Sequence, residues 1–440
     1  MIQFLQLILS LAILVVLHEF GHYITAKFFG CRVEKFYLFM DWKFALFKKK
    51  IGETEFGVGW LPLGGYVKIA GFVDESMDDE GLESPPQPWE LRSKPAWQRL
   101  IVMLGGIIVN ILLAWFIYSM ILFSWGESYL PVENIRDGFS FNEGFEKLGF
   151  VDGDQLLSID GVDLFEYDGQ MVVSSILFDG AKNVVVKRGD KIVSVQIDPD
   201  SVNNIINNIQ IYSGALITPN IRWVVGEFLP NSVGERAGLI KNDRIIAIND
   251  FKVDFFTSDV TSYLQSLAGQ QITLTIERGS DWIKELDMVL GEDGMVGVVP
   301  SRVGYERRSY SFLKAIPAGF KKTQNTIAIY WGQVKTIFNP KTGGYKHVGG
   351  VISIGKLFPG EWNWLHFWSM TAFLSIILGV MNLLPIPALD GGHALIAVLE
   401  MLSRRKIPLK VLMPLQVVGM ILLFAILIYA NGMDVIRLFN

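Results

Sequence analysis

The stretch LAILVVLHEFGHYITAKFF, residues 11–29, joins an apolar run to a cluster of polar side chains. The run has no charged residue from Met1 to Leu17, and as a helix it continues to about Ile24. A helix of roughly 20 apolar residues is long enough to cross a bilayer. A cleaved signal peptide would begin with basic residues, and none precedes this run, so we expect a retained membrane helix.

Three more uncharged runs have the length of a membrane span. They are Leu100–Trp125, Phe367–Leu389 and Val411–Ala430. Half of the 440 residues are hydrophobic and 19% are charged, whereas about a quarter are charged in an average globular chain. This composition excludes a disordered protein and argues against a soluble one. It predicts a polytopic α-helical membrane protein with four transmembrane helices.

Basic residues near the ends of these runs predict the orientation of the helices. The first run is followed by Lys27, Arg32, Lys35, Lys43 and Lys48–Lys50, and the second is preceded by Arg92, Lys94 and Arg99. Between the third and fourth runs lie Arg404, Arg405, Lys406 and Lys410. Lys and Arg are enriched in cytoplasmic loops, so both connections are predicted to be cytoplasmic. Both termini, and the long segment from about residue 126 to residue 366, are then predicted to be extracytoplasmic.

Charge and cysteine content exclude further classes of protein. A net charge of −5 gives no electrostatic argument for a nucleic-acid partner. The single cysteine, Cys31, excludes an intrachain disulfide and a cysteine-rich zinc or iron–sulfur site.

The long extracytoplasmic segment contains an internal repeat. Lys147–Gly161 reads KLGFVDGDQLLSIDG, and Arg236–Asp250, which begins 89 residues later, reads RAGLIKNDRIIAIND. Each copy has a glycine turn followed by a strand with alternating apolar positions. The pattern resembles the PDZ domain, which binds an extended peptide at a sheet edge. The resemblance implies two inserted PDZ-like α+β domains; the alternative is two structural β modules without a peptide ligand.

The polar cluster of the first run has the spacing of a metal site. His18 and His22 are four residues apart and lie on one face of the helix, and His nitrogens are preferred ligands of Zn²⁺. Glu19 lies beside them and can act as a general base toward water. The alternative is polar residues of a helix end that reach the interface. Charged residues inside a span cost about 2.5–3.5 kcal/mol and are functional by default, which favours the metal site.

The end of the third run supplies a candidate for a third ligand. Residues 382–393 read NLLPIPALDGGH. Asp390 ends the uncharged run on the same side of the membrane as His22, and Pro385 and Pro387 must disturb a helix there. His393 is a rival ligand on chemistry alone.

Together these motifs resemble the site-2 protease family of intramembrane zinc metalloproteases. Their order, HEFGH, a tandem PDZ insert and then NLLPIPALDGG, looks like the bacterial regulator-of-sigma-E protease type, and the resemblance covers essentially the whole chain. It implies that zinc is bound by His18, His22 and Asp390. It also implies that Glu19 is the general base and that Asn382 contacts the substrate backbone.

Two further segments resemble parts of the same family. Leu63–Lys68, LGGYVK, resembles a β-hairpin loop that re-enters the membrane beside the active site, which implies substrate contacts at Gly64, Gly65 and Tyr66. Residues 106–110, GIIVN, resemble Gly-Pro-Ile-x-Asn with isoleucine in place of proline, and we expect this departure to affect only local helix geometry.

The predicted organisation has five parts. Residues 1–125 contain transmembrane helices 1 and 2 and the re-entrant β region, residues 126–215 and 216–305 form the two PDZ-like domains, residues 306–365 form an amphipathic segment on the membrane surface, and residues 366–440 contain transmembrane helices 3 and 4.

The resemblance implies an intramembrane zinc metalloprotease that cleaves transmembrane segments of membrane proteins in the bacterial inner membrane. The implied partners are the lipid bilayer and single-span substrates such as anti-sigma factors and signal-peptide remnants, trimmed first by an upstream site-1 protease. The alternative is a non-catalytic membrane scaffold whose PDZ-like domains recruit partners. A zinc transporter would need polar residues in several spans, and a soluble zincin would not place its motif in a membrane helix.

Overall fold

The computed structural model describes residues 2–61, 64–72, 85–208, 215–229, 232–279, 282–301, 304–338 and 348–439. Leu63 of the predicted hairpin, and residues 339–347 of the predicted surface segment, lie outside these ranges. The chain forms two compact units. The first comprises residues 1–126, 309–331 and 346–440, and the second comprises residues 127–308 and 332–345.

The described part of the chain contains α-helices and short strands. The helices are α1 (Ile2–Phe28), α2 (Ala96–Ser124), α3 (Glu143–Glu146), α4 (Gly169–Leu177), α5 (Pro199–Asn207), α6 (Val233–Arg236), α7 (Ser258–Ser266), α8 (Phe312–Phe338), α9 (Val351–Gly355), α10 (Trp364–Leu383), α11 (Asp390–Ser403) and α12 (Leu409–Phe439). The strands of the first unit are β1 (Val33–Leu38), β2 (Met40–Ile51), β3 (Thr54–Leu61) and β4 (Tyr66–Ile69).

The strands of the second unit run from β5 to β19. They are β5 (Glu127–Pro131), β6 (Phe139–Phe141), β7 (Gln155–Ile159), β8 (Val162–Asp163), β9 (Glu166–Tyr167), β10 (Asn183–Arg188), β11 (Lys191–Gln196), β12 (Ile217–Pro219), β13 (Val225–Phe228), β14 (Arg244–Ile248), β15 (Phe251–Lys252), β16 (Gln271–Arg278), β17 (Trp282–Val289), β18 (Val298–Pro300) and β19 (Glu306–Arg308).

Four of the described helices, α1, α2, α10 and α12, are long and apolar enough to cross a membrane. They correspond to the four uncharged runs, so the prediction of four candidate spans is confirmed. Helix α2 packs against α1, α10 and α11. It therefore contacts all three helices that carry the polar motifs.

The third predicted span is too long at its C-terminal end. Helix α10 ends at Leu383, not at Leu389, because Pro385 lacks a backbone N–H and restricts the residue before it. Leu384 is extended, with φ −60° and ψ 141°. The chain then turns, with a positive φ of 78° at Ala388, and α11 begins at Asp390. Asp390 is therefore the first residue of a separate helix.

A four-stranded sheet follows α1, in the order β2-β3-β1-β4. Strand β3 pairs with β2 on one side and runs parallel to β1 on the other. Strand β4 therefore cannot join β3 and pairs antiparallel with β1, with Tyr66 opposite Tyr37. The predicted hairpin around Gly64 is thus wrong as a local pairing. The segment leads instead into an edge strand.

The second unit contains two separate hydrophobic cores. One is built from buried residues between Leu130 and Ile217, and the other from buried residues between Trp223 and Val296. We call residues 127–219 the first module and residues 223–300 the second module. Their main sheets have the orders β11-β10-β7-β8 and β15-β14-β16-β17.

The sequence repeat is also a structural repeat. In the first module, Arg188 donates two hydrogen bonds of 2.7 Å to the buried carboxylate of Asp154. In the second module, Arg278 donates two hydrogen bonds of 2.7 Å to Asp243. These two aspartates hold the same place in the two copies of the repeat. In each module, therefore, a bidentate arginine–aspartate pair, the strong form of this interaction, connects the same turn to the same strand, β10 in the first module and β16 in the second.

The predicted boundaries of the modules stop short of two strands. Strand β12 begins after residue 215 and pairs with β6 of the first module. Strand β19 begins after residue 305 and pairs with β5 of the same module. The amphipathic segment predicted from residue 306 therefore starts with a strand, and its helix, α8, begins only at Phe312.

Candidate metal centre

Three potential metal ligands converge where α1 meets the start of α11. The Nε2 atoms of His18 and His22 lie 3.2 Å apart. Oδ2 of Asp390 lies 3.1 Å from Nε2 of His18 and 3.3 Å from Nε2 of His22. Among the described residues, these three form a group of His, Cys, Asp or Glu side chains with ligand atoms within 4.8 Å of one another. The sequence-predicted ligands are thus brought together in space.

Helix α2 faces the other ring nitrogens of both histidines. Nδ1 of His22 lies 2.8 Å from the backbone carbonyl oxygen of Val102. Nδ1 of His18 lies 3.1 Å from the side-chain amide of Asn110. A partner at the second nitrogen fixes the orientation of a ligating imidazole. Helix α2 therefore holds both rings with their Nε2 atoms toward Asp390.

Glycines allow α2 to approach this closely. A Cβ atom on Gly106 would lie 2.5 Å from Nε2 of His22 and 2.6 Å from Cε1 of His18. A Cβ atom on Gly21 would lie 2.3 Å from the carbonyl oxygen of Gly105. Since these separations are shorter than any real contact of a Cβ atom, only glycine fits at either helix surface.

Two glycines after Asp390 seat the start of α11 on the preceding turn. A Cβ atom on Gly391 would lie 2.4 Å from the carbonyl oxygen of Leu383, and one on Gly392 would lie 2.3 Å from that of Ile386. The Asp-Gly-Gly sequence thus lets the new helix pack directly against the end of α10. This packing fixes the position of the carboxylate.

Glu19 is half-buried on α1, between the two histidines in sequence. The segment before β4 passes beside it, because a Cβ atom on Gly65 would lie 3.5 Å from Cγ of Glu19 and 2.8 Å from Cγ1 of Val15. Two of the predicted substrate-contact residues, Gly64 and Gly65, therefore lie in a segment next to the predicted base. Tyr66 opens β4, and its hydroxyl donates to Asp41 at 2.9 Å.

The two remaining candidates lie in different surroundings. The amide Nδ2 of Asn382, near the end of α10, lies 3.3 Å from Nε2 of His18. The ring of His393 packs edge-on against Phe72, with centroids 4.8 Å apart. Asn382 thus reaches the centre, whereas His393 is not one of the three converging ligands.

Comparison with known proteins gives the family. The model of peptidase family M50 matches residues 6–426 of the 440. The chain belongs to peptidase family M50. It is 30% identical to the protease RseP of Yersinia pestis over 426 residues, with 90% of each chain covered. It is 27% identical to the regulator of sigma E protease of Haemophilus influenzae, with 98% of each chain covered.

A third relative, from Vibrio cholerae, bears the name of a candidate zinc metalloprotease. It is 27% identical over 467 residues, with 99% of each chain covered. As an M50 peptidase, the chain is a metalloendopeptidase, and its cofactor is zinc.

The converging residues of this M50 peptidase fit a zinc ion. Two imidazole nitrogens and one carboxylate oxygen are a recognised ligand set of catalytic zinc, with a fourth position left open. Oδ2 of Asp390 is buried and accepts no hydrogen bond. A buried carboxylate oxygen without a donor is costly, and a cation between the three ligands would compensate it.

Sequence reasoning missed two residues that contact the centre. Gly106 and Asn110 belong to the segment GIIVN, for which only an effect on local helix geometry was expected. In the structure, both lie against the imidazoles. For Asn110, the available signal was a polar side chain inside an uncharged span, since polar groups in a membrane helix are functional by default.

Proposed function

We propose that this M50 peptidase cleaves peptide bonds inside the membrane at a zinc centre held by His18, His22 and Asp390. The observation that carries the proposal is the convergence of their ligand atoms within 4.8 Å of one another, with His18 and His22 on α1, a helix apolar enough to cross the bilayer, and Asp390 at the start of α11.

Glu19 is proposed as the general base and general acid. When bound, zinc supplies Lewis acidity to water and to the scissile carbonyl. The Glu19 carboxylate accepts a proton from the attacking water and later donates it to the nitrogen of the leaving amine. Its position one residue after His18 keeps it within a helical turn of both imidazoles.

The substrate backbone must be opened before it can be attacked. A transmembrane helix satisfies its carbonyl groups internally, so its scissile segment has to unwind at the centre. We infer that β4 pairs with the unwound segment, because among the described strands β4 lies at the edge of its sheet and pairs with β1. We further propose that Asn382, whose amide lies 3.3 Å from Nε2 of His18, hydrogen-bonds to freed backbone groups.

The implied substrates are single-span membrane proteins of the bacterial inner membrane, already trimmed by another protease. Anti-sigma factors and signal-peptide remnants are the proposed classes, in keeping with the name of the Haemophilus influenzae relative. The two modules are proposed to be PDZ-like and extracytoplasmic, like both termini, and to exclude substrates with bulky external domains. The duplicated sequence and the duplicated Asp–Arg pair support a tandem origin of the modules.

The first experiment compares the wild type with Glu19→Gln in detergent, using a truncated single-span substrate and elemental analysis of zinc. We expect about one zinc per chain in both proteins and cleavage by the wild type only, because glutamine leaves the ligands intact but cannot take up the proton. A zinc-free wild type would overturn the proposed centre. Zinc in both proteins with equal cleavage would overturn the role of Glu19. Zinc in both without cleavage of several single-span substrates would favour the scaffold.

A further inference from the structure

The ring of His18 needs a hydrogen-bond acceptor at Nδ1, which the other two proposed ligands do not supply. Its Nε2 faces Asp390 and His22, and therefore points to the proposed zinc position. A neutral imidazole that binds a metal through Nε2 carries its hydrogen on Nδ1. That hydrogen is buried and needs an acceptor, because an unpaired buried donor costs about 1–3 kcal/mol.

The group that faces Nδ1 of His18 is the amide of Asn110, whose Nδ2 lies 3.1 Å away. Asn110 is fully buried, and its Oδ1 has no hydrogen-bond partner. An amide presents a donor on one side and an acceptor on the other, and the two are interchanged by a half-turn of the side chain. Only the orientation with Oδ1 toward the ring supplies the acceptor. In that orientation the Nδ1–H group of His18 also gives Oδ1 the hydrogen bond that it otherwise lacks.

The backbone of Asn110 is held in place from another helix. Its carbonyl oxygen accepts a hydrogen bond of 2.7 Å from the hydroxyl of Ser375 on α10. This bond ties the α2 backbone at Asn110 to α10, and the side-chain amide of Asn110 faces the ring of His18. It serves His18 as the backbone carbonyl of Val102 serves His22.

We propose that Asn110 is a positioning residue that sets the tautomer and ring orientation of His18 for zinc. This inference rests on the proposed function of His18 as a zinc ligand. It assigns α2 the role of holding both imidazoles in the ligating form. Asn110 itself touches neither zinc nor substrate.

The test measures the zinc dissociation constant of the purified full chain by competition with a chromophoric chelator. Asn110→Asp keeps an oxygen acceptor, and Asn110→Leu keeps the size without any acceptor. We expect Asn110→Leu to bind zinc about 10- to 100-fold more weakly, as for other partners of ligating histidines. We expect Asn110→Asp to stay within a few-fold of the wild type.

A role in packing alone gives the opposite order. The apolar, similarly sized leucine would then be tolerated, and the buried charge of aspartate would do the damage. Equal affinities of Asn110→Leu and the wild type, or tighter binding by Asn110→Leu than by Asn110→Asp, would overturn the inference. Ser119→Ala on the same helix removes a hydroxyl bonded to the carbonyl of Trp115 and should leave the affinity unchanged.

Two further measurements separate the possible failures. Thermal melting of the zinc-stripped proteins reports folding alone. If a variant does not fold, Asn110→Ser and Asn110→Ala form a second pair without added bulk or charge. The Asn110→Ser protein should then bind zinc several-fold more tightly than the Asn110→Ala protein. His18→Ala tests the proposed ligand itself. Wild-type affinity in His18→Ala would overturn the proposed centre, whereas loss there without loss in Asn110→Leu would overturn only the role of Asn110.

Discussion

Gly106 shows how much of the centre depends on one missing Cβ atom. Its backbone lies against both imidazoles, and an added methyl group would fall 2.5 Å from Nε2 of His22, the proposed ligand atom, and 2.7 Å from Nδ1 of His18. Backbone atoms of a helix cannot easily move, so the rings would have to turn away. The absence of one Cβ atom therefore controls whether the proposed ligands converge.

We predict that Gly106→Ala weakens zinc binding by at least about 10-fold, the effect of misorienting a ligating histidine. The measurement is the zinc dissociation constant of the purified chain. Gly432→Ala in α12 is the matched control, because nothing lies within 4 Å of its added Cβ. Unchanged affinity in Gly106→Ala would show that α2 can retreat from α1 without cost to the centre.

The edge strand β4 is the element proposed to receive the substrate. It begins directly after Gly65, where an added Cβ atom would lie 2.6 Å from the carbonyl oxygen of Tyr37 and 3.5 Å from Cγ of Glu19. Pairing of an extended peptide with a sheet edge depends on free backbone groups rather than on side chains. Changes to the backbone at this point should therefore affect cleavage and spare zinc.

We predict that Gly65→Pro abolishes cleavage of a single-span substrate while zinc content stays near that of the wild type. Proline removes a backbone N–H and fixes φ. Gly65→Ala is the control, because it introduces the same Cβ, 2.6 Å from the carbonyl oxygen of Tyr37, but keeps the N–H. Equal cleavage by the proline and alanine variants would remove the support for strand pairing.

In the whole molecule, the sequence of the second unit is inserted into that of the first. Residues 127–308, which contain both modules, lie between α2 and α8 in the sequence. The residues of the candidate centre all belong to the first unit. The modules therefore contribute none of the three converging side chains of the candidate centre.

We predict that replacing residues 127–308 by a flexible Gly/Ser linker allows cleavage of a substrate that retains a large external domain. The wild type should leave this substrate intact, because the proposed role of the modules is to exclude it. The assay is gel analysis of cleavage, with a trimmed substrate that both proteins should cut as the control. If the shortened protein cuts only the trimmed substrate, the modules do not act as a size filter.

Most of the features that could be predicted depend on residues that are close in sequence. The i, i+4 spacing of His18 and His22 and the four uncharged runs depend only on helical periodicity and local composition. The turn after α10 was partly predictable, since Pro385 and Pro387 must break a helix, but the point at which α11 begins was not. The pairing of β4 with β1 was missed because a strand pattern does not reveal its neighbour.

The four candidate spans, the HEFGH spacing, the duplication of the modules and Asp390 as a third-ligand candidate all follow from the sequence alone. The contacts of Gly106 and Asn110 with the imidazoles are visible only in the folded chain. Asn110 is 92 residues from His18 along the chain, and their contact depends on how closely α1 and α2 pack. The distance between the two helices is set by close contacts at glycines on both of them. The periodicity of either helix does not predict these contacts.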